Sequence, residues 1–226
     1  MSFGWQSAYL KLKIKLVTTI IKTNLPVTSP ILWIACIQFF IAEQVVRFAW
    51  TLPYSFATNY ISDLGADACS AAICSPWHTL MNASFVLQGI LIAGGAALAW
   101  GQWRPVQRVG LALLEICGLG VIVVGFVPEN ANQPIHNMAA AAHFLGGGFG
   151  IIALGVTLNG WFRWVSVIAG VLVAAAVFEL GSGGGTIGQR IGIGTLERIA
   201  AYGIAGWMVA LGVWSSFQPS SATYAT

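Results

Sequence analysis

Two acid and histidine combinations carry the residue types that chemistry most often needs: Asp63 with His78, and Glu129 with His136. Each acid precedes its histidine across a polar connection, NYISDLGADACSAAICSPWH in the first case and VPENANQPIH in the second. A carboxylate can orient an imidazole, which then serves as general base or as metal ligand. Asn82, one helical turn beyond His78, is placed to position a substrate, and Asn59, Ser62 and Asn130 bring further amides and a hydroxyl to the same connections. His136, Ala140, His143 and Gly147 fall on one helical face, so His143 lies deeper, as a supporting or proton-transfer group.

These residues define candidate chemistries and exclude others. His136 and His143 are separated along a helix by about 10.5 Å, whereas a zinc ion needs each nitrogen at about 2.0–2.1 Å. They cannot easily share one ion. A metal site from Asp63, His78, Glu129 and His136 is sterically easier, although no His-Glu-x-x-His or Cys-x-x-Cys motif supports it. Haem needs only two axial histidines from different helices, and that geometry is all that favours it. Ser62 lacks the G-x-S-x-G elbow of a serine hydrolase. The stretch GSGGGTIGQRIGIG has no Gly-Lys-Ser/Thr ending and reads as a flexible or re-entrant connection. All four Lys precede the first apolar span, which disfavours a retinal Schiff base. Capping explains some polar residues without function: Ser62 and Asp63 suit helix starts, Ser75-Pro76 opens a helix and Pro128 ends one.

The elements that position these groups follow from composition. The 226 residues are 57% hydrophobic and 8% charged, against about a quarter charged in a soluble domain. Apolar runs of about 20 residues cross a bilayer as helices. Six occur, at 30–52, 77–100, 106–127, 136–158, 161–180 and 195–217. None alternates as barrel strands do, so the fold class is all-α, a six-helix membrane bundle. The domain organisation is a basic segment 1–29, a membrane domain 30–217 and a short tail 218–226.

Lys11, Lys13, Lys15, Lys22, Arg104, Arg108 and Arg163 fall on one side, and Arg190 and Arg198 on the other, with Arg47 near that other end of span one. The excess marks the cytoplasmic side, which places both termini in the cytoplasm and the polar connections outside. No basic patch with interleaved aromatics exists, so nucleic acid is not an expected partner. The N-terminal segment reads equally as an interfacial amphipathic helix, an extended LKLKIKL strand paired with a partner chain, or a topogenic flank. It lacks the long apolar core and cleavage site of a signal peptide.

Charges inside spans are costly and therefore informative. Glu43 and Arg47 stand four apart on span one and are expected to form an intramembrane ion pair, with Gln44 beside them. Glu115 has no evident partner on its own helix. Cys69 and Cys74 could form a disulfide in an oxidising compartment, a pairing that spacing alone does not establish.

The segments NYISDLGA (59–66), 78–82 and GFVPENANQPIHNMAAAAHF (125–144) resemble domain-of-unknown-function family 998, polytopic membrane proteins of bacteria and archaea. The resemblance implies a six-helix fold across most of 30–217, a plasma-membrane location, and signature positions at Ser62, Asp63, Pro128, Glu129 and His136. It implies no reaction. The pattern is also distantly similar to eukaryotic membrane families linked with lipid remodelling and autophagy modulation. The basic N-terminal extension departs from the family pattern.

Two functions of different class follow. In one, the chain is a noncatalytic subunit or lipid-binding scaffold, with a polar cluster tying its helix ends and an N-terminal segment docking another membrane-protein subunit. In the other, it is a membrane-embedded, metal-dependent enzyme acting on lipid or lipid-linked substrate. The balance favours the scaffold, because the sequence contains no strong catalytic constellation.

Overall fold

The computed structural model describes residues 29–218. The basic segment with its four Lys, and the tail beyond residue 218, lie outside the described residues. Among those described there is no strand. Helices α1 (29–35) and α2 (Gln38–Phe48) form one span joined by a tightened turn, in which the amides of Cys36, Ile37 and Phe39 each bond three residues back. Four long helices follow, α3 (His78–Ala99), α4 (Arg108–Phe126), α5 (Gln133–Gly155) and α6 (Trp161–Gly181), then the short α7 (Gly185–Ile191) and finally α8 (Ile193–Ser216). Among the described residues six helical segments, with the α1–α2 pair counted as one and α7 excluded, are long and apolar enough to cross a membrane.

The expected spans shift in informative ways. Span one stops at Phe48 rather than at residue 52. Span four starts earlier than expected, at Gln133, because Asn132 caps it by accepting the Ile135 amide and Pro134 suits the first turn. The Gly-rich connection contains the helix α7, ended by Gly192 at φ +91°. A side chain there would also strike the Ala57 backbone, so Gly192 serves both a conformation and a close approach.

The long helices pack in chain order, α3 on α4, α4 on α5, α5 on α6 and α6 on α8, with α2 against α3. Lipid supplies little hydrophobic drive between helices, so close backbone approach has to provide the contact. At Gly120 a Cβ would lie 2.7 Å from the Ala139 carbonyl oxygen and 2.6 Å from the His143 nitrogen, so α4 and α5 can approach closely only without it. Large apolar residues such as Phe126, Met138, Phe149 and Phe178 face outward, as lipid-facing positions require.

Two cores divide the bundle along its length. One is rich in aromatics: Trp33 meets Trp103 edge-on at 6.0 Å, and Phe162 stacks on Trp214 at 4.9 Å and on Trp207 at 6.3 Å. The other gathers Phe39, Val46, Ile61, Met81, Phe85 and Val121 beneath the connections 49–77, 127–132 and 182–192. Contacts among these connections and the nearby helix ends bring them together at one end: the Gly194 amide bonds the Ala57 carbonyl, and Asp67 and Asn130 bond each other twice, at 2.7 and 3.1 Å.

Candidate functional site

The polar end is organised around a buried cation. Arg198, on the first turns of α8, reaches Glu43 of α2 at 3.1 Å and donates to the carbonyls of Phe56, Asn59 and Gly194 at 3.0, 2.7 and 3.0 Å. It also donates to the Tyr54 hydroxyl and stacks over the Phe56 ring at 4.9 Å. Tyr202 completes the Glu43 carboxylate by donating at 2.6 Å. The expected Glu43–Arg47 pair is therefore corrected. Arg47 bonds Gln44 at 3.0 Å and lies over the rings of Phe48 and Phe56, while Glu43 turns inward to a helix 155 residues away. The interior supplies a five-donor fork that can satisfy a fully buried carboxylate together with loop carbonyls, which a neighbouring half-buried arginine cannot do.

That hub fixes the loop carrying the signature acids. The segment Ser62–Gly65 is a single buried 3-10 turn. The Ile61 amide donates to Glu197 and the Tyr60 amide to Asp63 at 2.9 Å. Asn59 donates to the same Asp63 oxygen at 3.2 Å, Ser75 to the Leu64 carbonyl at 2.7 Å, and Asn82 to the Gly65 carbonyl at 2.9 Å. Asn59 and Asn82 are thus braces of the turn. Asn130 braces it too, through Asp67.

The turn presents Ser62 and Asp63 to Glu129. The Ser62 hydroxyl donates to the Glu129 carboxylate at 2.8 Å. Asp63 lies within hydrogen-bond reach of Glu129, and burial, followed by that hydrogen bond and the neighbouring negative charge, pushes the Asp63 carboxyl up to about 7. Burial and the charges of Glu197, Asp63 and Glu129 likewise raise the Tyr60 phenol, and burial raises Tyr54 to about 12 despite Arg198 beside it.

Two cavities meet at this cluster. A chamber of about 420 Å³ is lined by Tyr60, Ser62, Glu129, His136 and Glu197 at its polar wall and by Ala141, Phe144, Val177 and Leu180 between α5 and α6. A cleft of about 40 Å³ runs inward among Phe39, Phe85, Val121, Ile204, Gln88 and His143. Ser62, His136, Ala140, Phe144 and Glu197 line both. His136 places Nδ1 at 2.8 Å from the Val127 carbonyl. A carbonyl can only accept, so Nδ1 carries the proton and the neutral ring keeps its lone pair on Nε2. His143, fully within the helix core, is fixed in the same way by the Cys117 carbonyl at 3.0 Å, with the Cys117 sulfur at 3.2 Å.

The structure thus brings together Asp63, Ser62, Glu129 and His136, with His143 deeper along the same cleft. His78 stands apart: it lines neither cavity and its Nδ1 turns to the Ser75 carbonyl at 3.0 Å, beside its own helix start. Among the described residues no three His, Cys, Asp or Glu side chains gather closely enough to hold a metal ion. Cys69 and Cys74 are bridged in the connection leading to Ser75.

Glu197 and Arg198, which the sequence puts on the same outer face as these groups, prove to be part of the site itself. Their signal was visible as two adjacent charges inside a span, a costly placement that only buried partners can relieve. Gln88 is the other addition, 2% exposed, with its amide nitrogen lacking a hydrogen-bond partner.

No curated protein and no solved structure matches the chain. The model of a protein family of unknown function, DUF998, matches residues 33–214. That span takes in all six apolar helices almost end to end, together with both acid-bearing connections, and the chain belongs to the DUF998 family.

Proposed function

We propose that this integral membrane protein binds a lipid or lipid-linked molecule at its polar end, with the head group in the chamber and the apolar part against α5 and α6. The observation that carries this reading is the two-sided lining of one space. Its volume of about 420 Å³ falls in the range of about 300–1,000 Å³ typical of small-molecule sites. One wall offers a phenol, a hydroxyl, carboxyls and an imidazole; the other offers Ala141, Phe144, Val177 and Leu180. A soluble metabolite needs no such apolar wall, and an acyl tail needs no such polar one.

The polar end faces away from the cytosol in this reading. The Lys and Arg excess on the opposite side supports it, as does the Cys69–Cys74 bridge, since disulfides persist in oxidising compartments. A subunit role for the basic N-terminal segment is compatible with binding at the other end.

The test is native mass spectrometry of the protein released from membranes in mild detergent. The protein retains an amphiphile, and Ala140→Phe, which fills the junction of the two cavities, loses it while staying folded. Retention unchanged by Ala140→Phe contradicts the reading.

A further inference from the structure

We propose that Ser62 is an acyl-accepting nucleophile, activated by Glu129 and positioned through Asp63, and that the chain transfers or hydrolyses short acyl groups on a lipid-linked molecule. The proposal rests on the binding reading above and gives that site a reaction.

Nucleophilic catalysis by serine requires a base in hydrogen-bond contact and a third group that orients the base. Sequence reading disfavours Ser62 because the strand-turn-helix elbow is absent, but geometry rather than motif defines such a constellation. Here the Ser62 hydroxyl donates to Glu129 at 2.8 Å, and Glu129 lies within hydrogen-bond reach of Asp63. The Tyr60 amide and Asn59 amide both donate to Asp63 Oδ2. Oδ1 is left as the seat for a proton given to Glu129. The groups facing this pair come from every neighbouring element: Tyr60 on the same loop, His136 on α5, Glu197 on α8, with Arg198 turned to Glu43 behind them.

Ser62 also stands where the two cavities join. The inner cleft, about 40 Å³, admits about three water-sized groups at about 10–15 Å³ each. That space suits an acetyl to butyryl chain, not a fatty acyl chain. The larger chamber then holds the alcohol or amine side of the substrate, with Gln133 and Asn137 on its wall as amide donors.

Ser62 Oγ bonds the acyl carbon while its proton passes to Glu129. The bond from that carbon to the leaving oxygen or nitrogen breaks, and Glu129 returns the proton to the leaving atom. Water or a second alcohol then attacks the acyl-serine, giving its proton to Glu129, and Ser62 Oγ takes that proton back as it leaves. Asp63 touches neither substrate nor Ser62 in this scheme, so it is a positioning residue.

The test treats the full chain in lipid nanodiscs with an ethyl fluorophosphonate probe, which replaces its fluoride with a serine oxygen, and locates the adduct by mass spectrometry. The adduct is expected on Ser62. Glu129→Gln slows labelling about 100-fold, the lower end of a general base's contribution. Wild-type labelling declines as pH rises through about 7, because loss of the Asp63 proton sets two carboxylates against each other. Asp63→Asn, which keeps a donor at all pH, abolishes that decline. 4-Nitrophenyl butyrate acylates Ser62 at least tenfold faster than the octanoate. An adduct on another residue, an unchanged rate in Glu129→Gln, or equal rates for both esters overturns the proposal. Absence of any adduct in protein that still retains its amphiphile overturns the reaction and leaves the binding reading intact; absence of both overturns the two together. Should Ser62→Ala fail to fold, Ser62→Cys serves as the control, with the phosphonate adduct lost and a thioester formed from butyrate.

Discussion

The two ends of this bundle are built from the same helices and obey opposite rules. At one end Trp33, Trp103, Phe162, Trp207 and Trp214 close the space with rings, and Ser166 satisfies itself on the Phe162 carbonyl at 2.7 Å while accepting from Trp207 at 2.9 Å. At the other, two acids, a serine and a histidine, Glu129, Glu197, Ser62 and His136, line a space that no side chain fills. Space that larger side chains could have closed is left open, and buried charge is tolerated beside it. Maximal stability alone does not require such an arrangement; a site that must admit something does.

The contrast can be broken experimentally in order of effect. Replacing Arg198 by Met strands the fully buried Glu43 and removes the anchor of the loop 54–59. Loss of one partner from a buried pair costs about 3–5 kcal/mol, so chemical denaturation in detergent should show a collapse in stability, with the double change to Glu43→Leu and Arg198→Met recovering much of it. At the packed end Phe162→Ala removes a ring stacked on two tryptophans and should cost about 3–5 kcal/mol by cavity formation, leaving amphiphile retention unchanged. Ala140→Phe reverses that pattern, with binding lost and stability nearly kept.

A smaller effect comes from pH. The Asp63 carboxyl is raised in the folded protein, so its folded form favours the proton. The resulting stability is complete below the ordinary carboxylate range and disappears as pH rises through about 7. Thermal unfolding should show that loss in the wild type and its absence in Asp63→Asn. Asn130→Ala, which removes the Asp67 bonds at the loop surface, should cost only about 1 kcal/mol.

How much of this was legible depends on the range of the interaction. Apolar run length depends on local sequence, and the six spans emerge with ends shifted by a few residues; His136 and His143 lie on one face because helical spacing places them there. The Glu43 partner could not be inferred in the same way. Four-residue spacing favours Arg47, whereas the interior chooses Arg198 because burial rewards the partner that also satisfies three loop carbonyls and Tyr54. His78 lies outside both cavities for a related reason. Its place at the start of span two suggests a site shared with the Ser62 loop, yet its Nδ1 turns to the Ser75 carbonyl in the turn that begins α3. The contact between Ser62 and Glu129 joins residues 67 apart and depends on how two loops fold over one another, which no helical periodicity encodes.

What occupies the open end decides between a binding site and a packing defect. A crystal structure of the protein grown from lipidic mesophase should show continuous elongated density from the junction of Ser62 and His136 along the Phe144 and Val177 wall, with its polar end against Glu129. A chamber closed by inward-turned side chains, or one holding only isolated waters while lipid density ends outside α5 and α6, would contradict it.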